Sequence, residues 1–336
     1  MAGIPVPQLY SHQVAGHVEE SLLSLSGRFI LKPMVKSSLF EREKAFYEQM
    51  VSEGSHNTNS AIPFTPIYLG LLHYAGVNGT AVPHLVLEDL TCGYRKPNVI
   101  DIKMGTCTFE PTATQQKKDS ELRKYPYQAE VGFRITGFKV YNKTSQSYVT
   151  AGKPFGRSIV PVEVISALAM LFYDGFRVRD DAIKAVIAEL ETLLLWMRSQ
   201  ARHHFYCTSL LVVFDSVSLD PYEPTEEPPV ESIADSFSDT CSPGDERTLG
   251  ELRRCLATAA ASAPLVRVKM IDFAHVVPLS LDNQIPDQGY IWGLKSLIGN
   301  LREVQATSVP PGGSSPHITH DVHNNILGMI ARADVA

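Results

Sequence analysis

The apolar positions of this chain change their period several times, and each change marks an element. Residues 27–34, GRFILKPM, set a β-rich apolar run beside Lys32 and a proline, which predicts a strand. Residues 40–51, FEREKAFYEQMV, bring Phe40, Tyr47 and Val51 near one face and predict a helix. Residues 81–90, AVPHLVLEDL, read as a strand ending in two acids, and residues 99–105, VIDIKMG, alternate apolar and charged side chains as a half-buried strand does. A helix is expected over 115–124, QQKKDSELRK, and a strand over 132–141, GFRITGFKVY.

From there the pattern turns helical. Residues 156–175 carry a start signal at Ser158 and Pro161 and a glycine stop, and 181–202 repeat apolar residues at three- and four-residue steps over about six turns. Apolar strands are expected at 206–215, YCTSLLVVFD, and at 265–277, LVRVKMIDFAHVV, followed by a helix at 289–304. The chain from 306 reads as loop, closing on a short helix. One stretch belongs to no period: residues 220–247 are dominated by Pro, Glu, Ser and Asp, too poor in apolar surface to offset the entropy of ordering, and are expected to form a disordered insert.

Composition narrows the classes. With 336 residues, 44% hydrophobic and 20% charged, the chain can bury a large core without disulfides or structural metal. A formal charge of −6 argues against a nucleic-acid partner that needs a broad basic coat. Five scattered cysteines form no CxxC pair and suit a reducing interior. No apolar run approaches the ~20 residues that span a bilayer, and the start of the chain lacks a secretory layout. These features place the expected protein in the cytoplasm; no dense basic block decides for or against the nucleus.

Phosphoryl transfer needs a cation on the phosphates, a carboxylate for the metal, a seat for the base and an acceptor pocket. Lys32 ends a strand and Glu43 follows eleven residues later on a helix, so the carboxylate can hold the lysine extended toward phosphate, although taken alone such a pair reads first as a solvated face. Asp101 and Lys103 share one face of their strand because side chains alternate.

The run Pro97 to Gly105, PNVIDIKMG, resembles the PxxxDxKxG signature of the inositol polyphosphate kinase family. Ile271 to His275, IDFAH, looks like another family motif, and Thr208-Ser209-Leu210-Leu211 is similar to its SSLL with threonine leading. SHQVAGH at 11–17 and GYIWGLK at 289–295 extend the resemblance over roughly residues 11–304, and within the family these look most like its multikinase branch.

The resemblance implies an α+β, two-lobed kinase-like fold, with ATP between a small N-terminal lobe of about residues 1–90 and a larger lobe of 91–305, and a tail at 306–336. It implies that Asp272 binds Mg2+, with Ser209 close to the metal or phosphates. Lys32 and Glu43 would serve the nucleotide phosphates, the backbone of Glu88, Asp89 and Leu90 the adenine, and Asp101 the ribose. Lys103 would face the transferred phosphate and the inositol. For Ser209 a satisfied buried hydroxyl is the plain alternative.

The acceptor pocket is expected in residues 110–125, which offer Lys117, Lys118, Arg123 and Lys124. On a helix 117, 120, 121 and 124 share a face, so Lys117 and Lys124 could address phosphates together, unless the segment is only a solvated amphipathic helix. The family's multikinases favour glutamines where this chain has Ser120 and Glu121, and Glu121 would repel a substrate phosphate if it faced the pocket. His275 and Lys295 complete the substrate-binding candidates.

The implied activity is ATP-dependent phosphorylation of soluble inositol polyphosphates, such as the tris- and tetrakisphosphate, on ring hydroxyls by a monomer. Inositol trisphosphate 3-kinase or hexakisphosphate kinase activity, and a catalytically silent scaffold using the acidic insert, are the alternatives. Phosphoinositide headgroups could serve as a side activity; no amphipathic basic helix is visible to hold a membrane.

Overall fold

The computed structural model describes residues 6–16, 21–54, 60–75, 81–216, 263–280, 282, 284–308 and 320–335. The expected insert at 220–247 lies outside the described residues.

Two antiparallel sheets carry the architecture. The first is built from β1 (Gln8–Leu9), β2 (Leu23–Leu25), β3 (Phe29–Pro33), β4 (Tyr68–Ala75) and β5 (Ala81–Glu88), in the order β1-β2-β3-β5-β4, with helix α1 (Ser37–Glu53) between β3 and β4. Alternation within β3 splits its side chains: Phe29 and Leu31 join a small cluster with Leu25, Leu69, Leu72 and Val86, while Ile30 faces the main core. Phe46, Tyr47 and Met50 of α1 are buried in that same main core, so the helix forms because packing rewards one stripe of it.

The second sheet begins at β6 (Pro97–Met104). It continues through α2 (Gln115–Lys124), α3 (Gln128–Val131), β7 (Phe133–Asn142) and β8 (Ser147–Ala151), then helices α4 (Lys153–Ser158), α5 (Val164–Leu171) and α6 (Asp180–Ser199). After β9 (His203–Phe205) come β10 (Ser209–Asp215), β11 (Val266–Ile271), β12 (Val276–Pro278), α7 (Gln288–Ser308) and α8 (His320–Val335). The strand order is β11-β10-β6-β7-β8, and β9 pairs separately with β12. Helix α6 packs on α7 and β11, and α5 packs on α7 and α8.

Three expectations need correction. Residues 156–175 are two helices rather than one, because Pro161 withholds a backbone donor and starts a 3₁₀ turn between α4 and α5. Residues 265–277 are two strands, broken at Asp272, whose φ of 66° lies in the left-handed region that a strand cannot accommodate. The terminal helix expected beyond 306 is present but is neither short nor loose: α8, 16 residues long, sends Ile326 and Met329 into the main core and packs Ile330 against it, the i, i+3, i+4 stripe of an amphipathic helix.

Candidate active site

Where the two sheets meet, Lys32 of β3 reaches Glu43 of α1 at 2.9 Å and Asp272 at 2.7 Å. The pairing joins residues from both sheets through one ammonium group. Glu43 is buried, also accepts the Phe273 N–H at 3.4 Å, and is raised above the ordinary glutamate range, burial outweighing the pull of Lys32. For Asp272 burial acts the same way, but Lys32 and Lys103 overcome it and hold the carboxyl below its usual value. Burial would lower Lys32, yet Asp272 and Glu43 raise it, so it stays protonated. The Asp272 side chain is 43% exposed, and only its Oδ1 is engaged among the described residues. A strained backbone therefore presents a charged carboxylate with a free oxygen at the junction of the two sheets.

Asp101 and Lys103 occupy the next strand. In β10 Leu211 lies opposite Asp101 and Ser209 opposite Lys103, and against β7 a bulge falls between Asp101 and Ile102. Asp101 is buried and accepts the Thr136 hydroxyl at 2.5 Å, with Ser209 nearby on the neighbouring strand. Burial and then the nearby Asp272 raise its carboxyl. Ser209, expected near metal or phosphate, is buried beside this pair of residues. Lys103 donates to the Cys207 carbonyl at 2.6 Å, and Cys207 takes the unusual φ of 54° there.

The segment Glu88–Asp89–Leu90 leaves β5 and changes sheet. Asp89 turns its carboxylate inward to Thr91 N–H at 2.8 Å, Thr91 hydroxyl at 2.6 Å and Tyr10 hydroxyl at 3.1 Å. Glu88 accepts the Ile67 N–H at 3.3 Å, and Arg267 takes the Leu90 carbonyl at 2.7 Å. The Leu90 N–H alone of these has no partner among the described residues, and it sits in a small apolar cluster with Val99 and Val213 that Val14 and Leu211 cover.

Helix α2 does set Lys117, Glu121 and Lys124 on one face. Glu121, 4% exposed, accepts Lys117 at 2.9 Å and Lys124 at 2.6 Å, and although burial acts upward these lysines lower its carboxyl to about 2. Both lysines therefore have a partner already. Arg134, missed in the sequence, lies opposite Lys103 in register, is 6% exposed and has an unpartnered Nη1. Nothing in GFRITG distinguishes an arginine that turns toward a site from any strand arginine. His275 bonds Glu110 at 2.7 Å, while Lys295 stands exposed on α7 without a hydrogen bond or ion pair among the described residues and is not brought to the other cations by any contact.

Comparison with known proteins places these positions in context. The sequence profile described as Inositol polyphosphate kinase matches residues 84–302. Human inositol polyphosphate multikinase is 26% identical, the match covering 88% of each chain. The multikinase beta of Arabidopsis thaliana is also 26% identical, over 87% of this chain and 92% of that one. Mouse inositol hexakisphosphate kinase 3 reaches 31% identity over 66% of this chain and 50% of its own. Among solved structures, the inositol phosphate multikinase Ipk2 of S. cerevisiae, in complex with ADP and Mn2+, superimposes with a TM-score of 0.58 at 20% identity, covering 83% of this chain and 99% of that one. At such identity the likeness establishes the fold.

Proposed function

The chain belongs to the inositol polyphosphate kinase family, and we propose that it carries out that family's phosphoryl transfer with Lys32, Asp101, Lys103 and Asp272 at the junction of its two sheets. Members of the family phosphorylate inositol phosphates, and this chain is accordingly a kinase acting on ring hydroxyls. The observation that carries the residue assignment is the Lys32 ammonium shared between Glu43 and Asp272.

The donor set fits a nucleotide with a divalent ion. Two ammonium groups, Lys32 and Lys103, stand among the three carboxylates of Glu43, Asp101 and Asp272, leaving negative charge for a cation to meet. Asp272, with one oxygen engaged by Lys32 and the other without a partner among the described residues, suits an ion that takes one or two carboxylates and completes its shell with phosphate and water. Asp272 would hold Mg2+, with Ser209 close to the metal or phosphates. Bound there, the ion neutralises charge developing on the transferred phosphoryl group.

The chain's own residues bind and orient. The unpartnered Leu90 N–H is the donor available to the adenine; Asp101, fixed by Thr136, would take the ribose hydroxyls; Lys32 would hold phosphate once its carboxylate contacts loosen. Lys103 and Arg134, facing one another across β6 and β7, supply positive charge on the acceptor side. Lys117, Lys124 and His275 line the same proposed acceptor side, and Lys295 remains a proposed substrate contact.

Separating the products formed from inositol tris-, tetrakis-, pentakis- and hexakisphosphate tests the multikinase-like reading: transfer to both the tris- and tetrakisphosphate is expected. Use of the hexakisphosphate alone would shift it to the alternative branch, and no transfer to any would favour a scaffold. We also propose a monomer acting in the reducing interior, cytoplasm or nucleus, a setting supported by the free thiols of Cys107 and Cys207.

A further inference from the structure

Helix α1 grips the turn between β11 and β12 at two points. Glu43 accepts from the Phe273 N–H at 3.4 Å, and Arg42 donates to the Val276 carbonyl at 3.4 Å. Between them stands His275, whose Nδ1 meets Glu110 Oε1 at 2.7 Å. That same oxygen accepts from Arg42 Nη1, also at 2.7 Å. One carboxylate, at the head of the segment that carries Lys117 and Lys124, thus ties together α1, the turn that presents Asp272, and the acceptor side.

The protonation of this cluster follows from donor and acceptor accounting. Burial acts to raise Glu110, but the hydrogen bonds from Arg42 and His275 outweigh it and hold the carboxyl below its usual range. An ionised carboxylate has no proton to give, so His275 Nδ1 must be the donor. In the neutral ring Nε2 then carries the lone pair, and no described residue bonds it.

We propose that Glu110 is a positioning residue for phosphoryl transfer: by holding the Nδ1–H of His275 and the Arg42 guanidinium, it presents His275 Nε2 to the acceptor hydroxyl of an inositol polyphosphate. The proposal rests on the reading above that places His275 at the acceptor. Its alternative is a plain surface cluster. The side chains of Arg42, His275 and Glu110 are 41%, 29% and 17% exposed, and ion pairs this open contribute little to stability. Loss of Glu110 should therefore cost rate and orientation far more than folding.

Two readouts on the full chain separate these roles. In protein labelled with nitrogen-15 at histidine, the His275 ring, assigned by the loss of its signals in His275→Gln, should report the Nδ1–H tautomer, and Glu110→Ala should return it to Nε2–H. In kinetics with ATP and an inositol trisphosphate, Glu110→Ala should lower acceptor kcat/KM by roughly tenfold to a hundredfold, the scale of a misplaced group. The KM for ATP should stay within about twofold and the thermal midpoint within about 3 °C. Glu110→Asp should recover part of the loss, and Glu110→Ala/His275→Ala should be no slower than His275→Ala, because the first residue acts through the second. An unchanged tautomer in Glu110→Ala, additive losses in the double variant, or a large fall in thermal midpoint that accounts for the lost rate would each overturn the proposal. Absence of transfer by the wild-type protein overturns the parent reading and this role with it, whereas transfer with an unchanged tautomer overturns this role alone.

Discussion

Glu121 changes meaning between sequence and structure. As a charge on a helix it threatens to repel phosphate; as a buried carboxylate it is the anchor that lines up Lys117 and Lys124. Its carboxyl is lowered to about 2 in the folded protein, against ~4.3 for an ordinary glutamate. A depressed folded value means that its stabilising contribution is fully present above about pH 4.3 and is lost as pH falls toward 2. Urea unfolding should therefore show the wild-type protein more stable than Glu121→Gln at pH 7, with the gap closing between about pH 4 and 2; a gap independent of pH would contradict the ion pairs. The same substitution frees two lysines and should improve use of the more highly phosphorylated inositols. Lys117→Ala should raise the acceptor KM roughly tenfold while sparing that of ATP, since one charge-assisted phosphate contact is lost. Unchanged acceptor kinetics would return α2 to the role of a solvated face.

Two connections between elements bear directly on the site. A Cβ on Gly137 would come within 1.9 Å of the Val14 carbonyl, so β7 keeps a glycine where the N-terminal segment lies across it. That segment brings Tyr10 to Asp89 beside the proposed base seat. Gly137→Ala should lower stability by ~1–3 kcal/mol and weaken nucleotide binding together, readable as a lower thermal midpoint and a raised KM for ATP; wild-type values in both would show that the segment moves aside freely. The second connection joins β10 to β11, which pair with Phe214 opposite Val266. Because its two ends already meet in the sheet, deletion of Tyr222 to Pro243 should leave turnover within about threefold, since shortening a connection changes closure entropy only logarithmically. A folded but inactive deletion variant would make the insert part of the site. Several elements were not legible: Tyr68–Ala75 mixes glycine and histidine into its alternation, and Ser147–Ala151 is too short and polar to announce a strand. Tertiary pairing decides such segments, which is why β4 and β8 emerge only in the fold.

Across the whole molecule, the motifs that carried the family reading are local runs, and local runs survive in a single sequence. Asp101, Lys103 and Asp272 stand out there for that reason, Lys32 only as a strand end eleven residues before Glu43, and the structure brings Lys32 and Asp272 to 2.7 Å across 240 positions of chain. The cluster of Arg42, Glu110 and His275 joins residues 68 and 165 positions apart with no local pattern to betray it. Arg134 was hidden for the same reason. The two-sheet arrangement concentrates opposed charge at one junction, and the account stands or falls on what that junction does. The most direct measurement follows labelled phosphate from γ-labelled ATP into an inositol trisphosphate, for the wild-type chain and for Asp272→Asn side by side. The account predicts transfer by the wild type and a loss on the order of a hundredfold or more in the variant, with its thermal midpoint retained, since a carboxylate placed where phosphoryl charge develops has been neutralised. Near-normal transfer by Asp272→Asn, or none by the wild type, would contradict it.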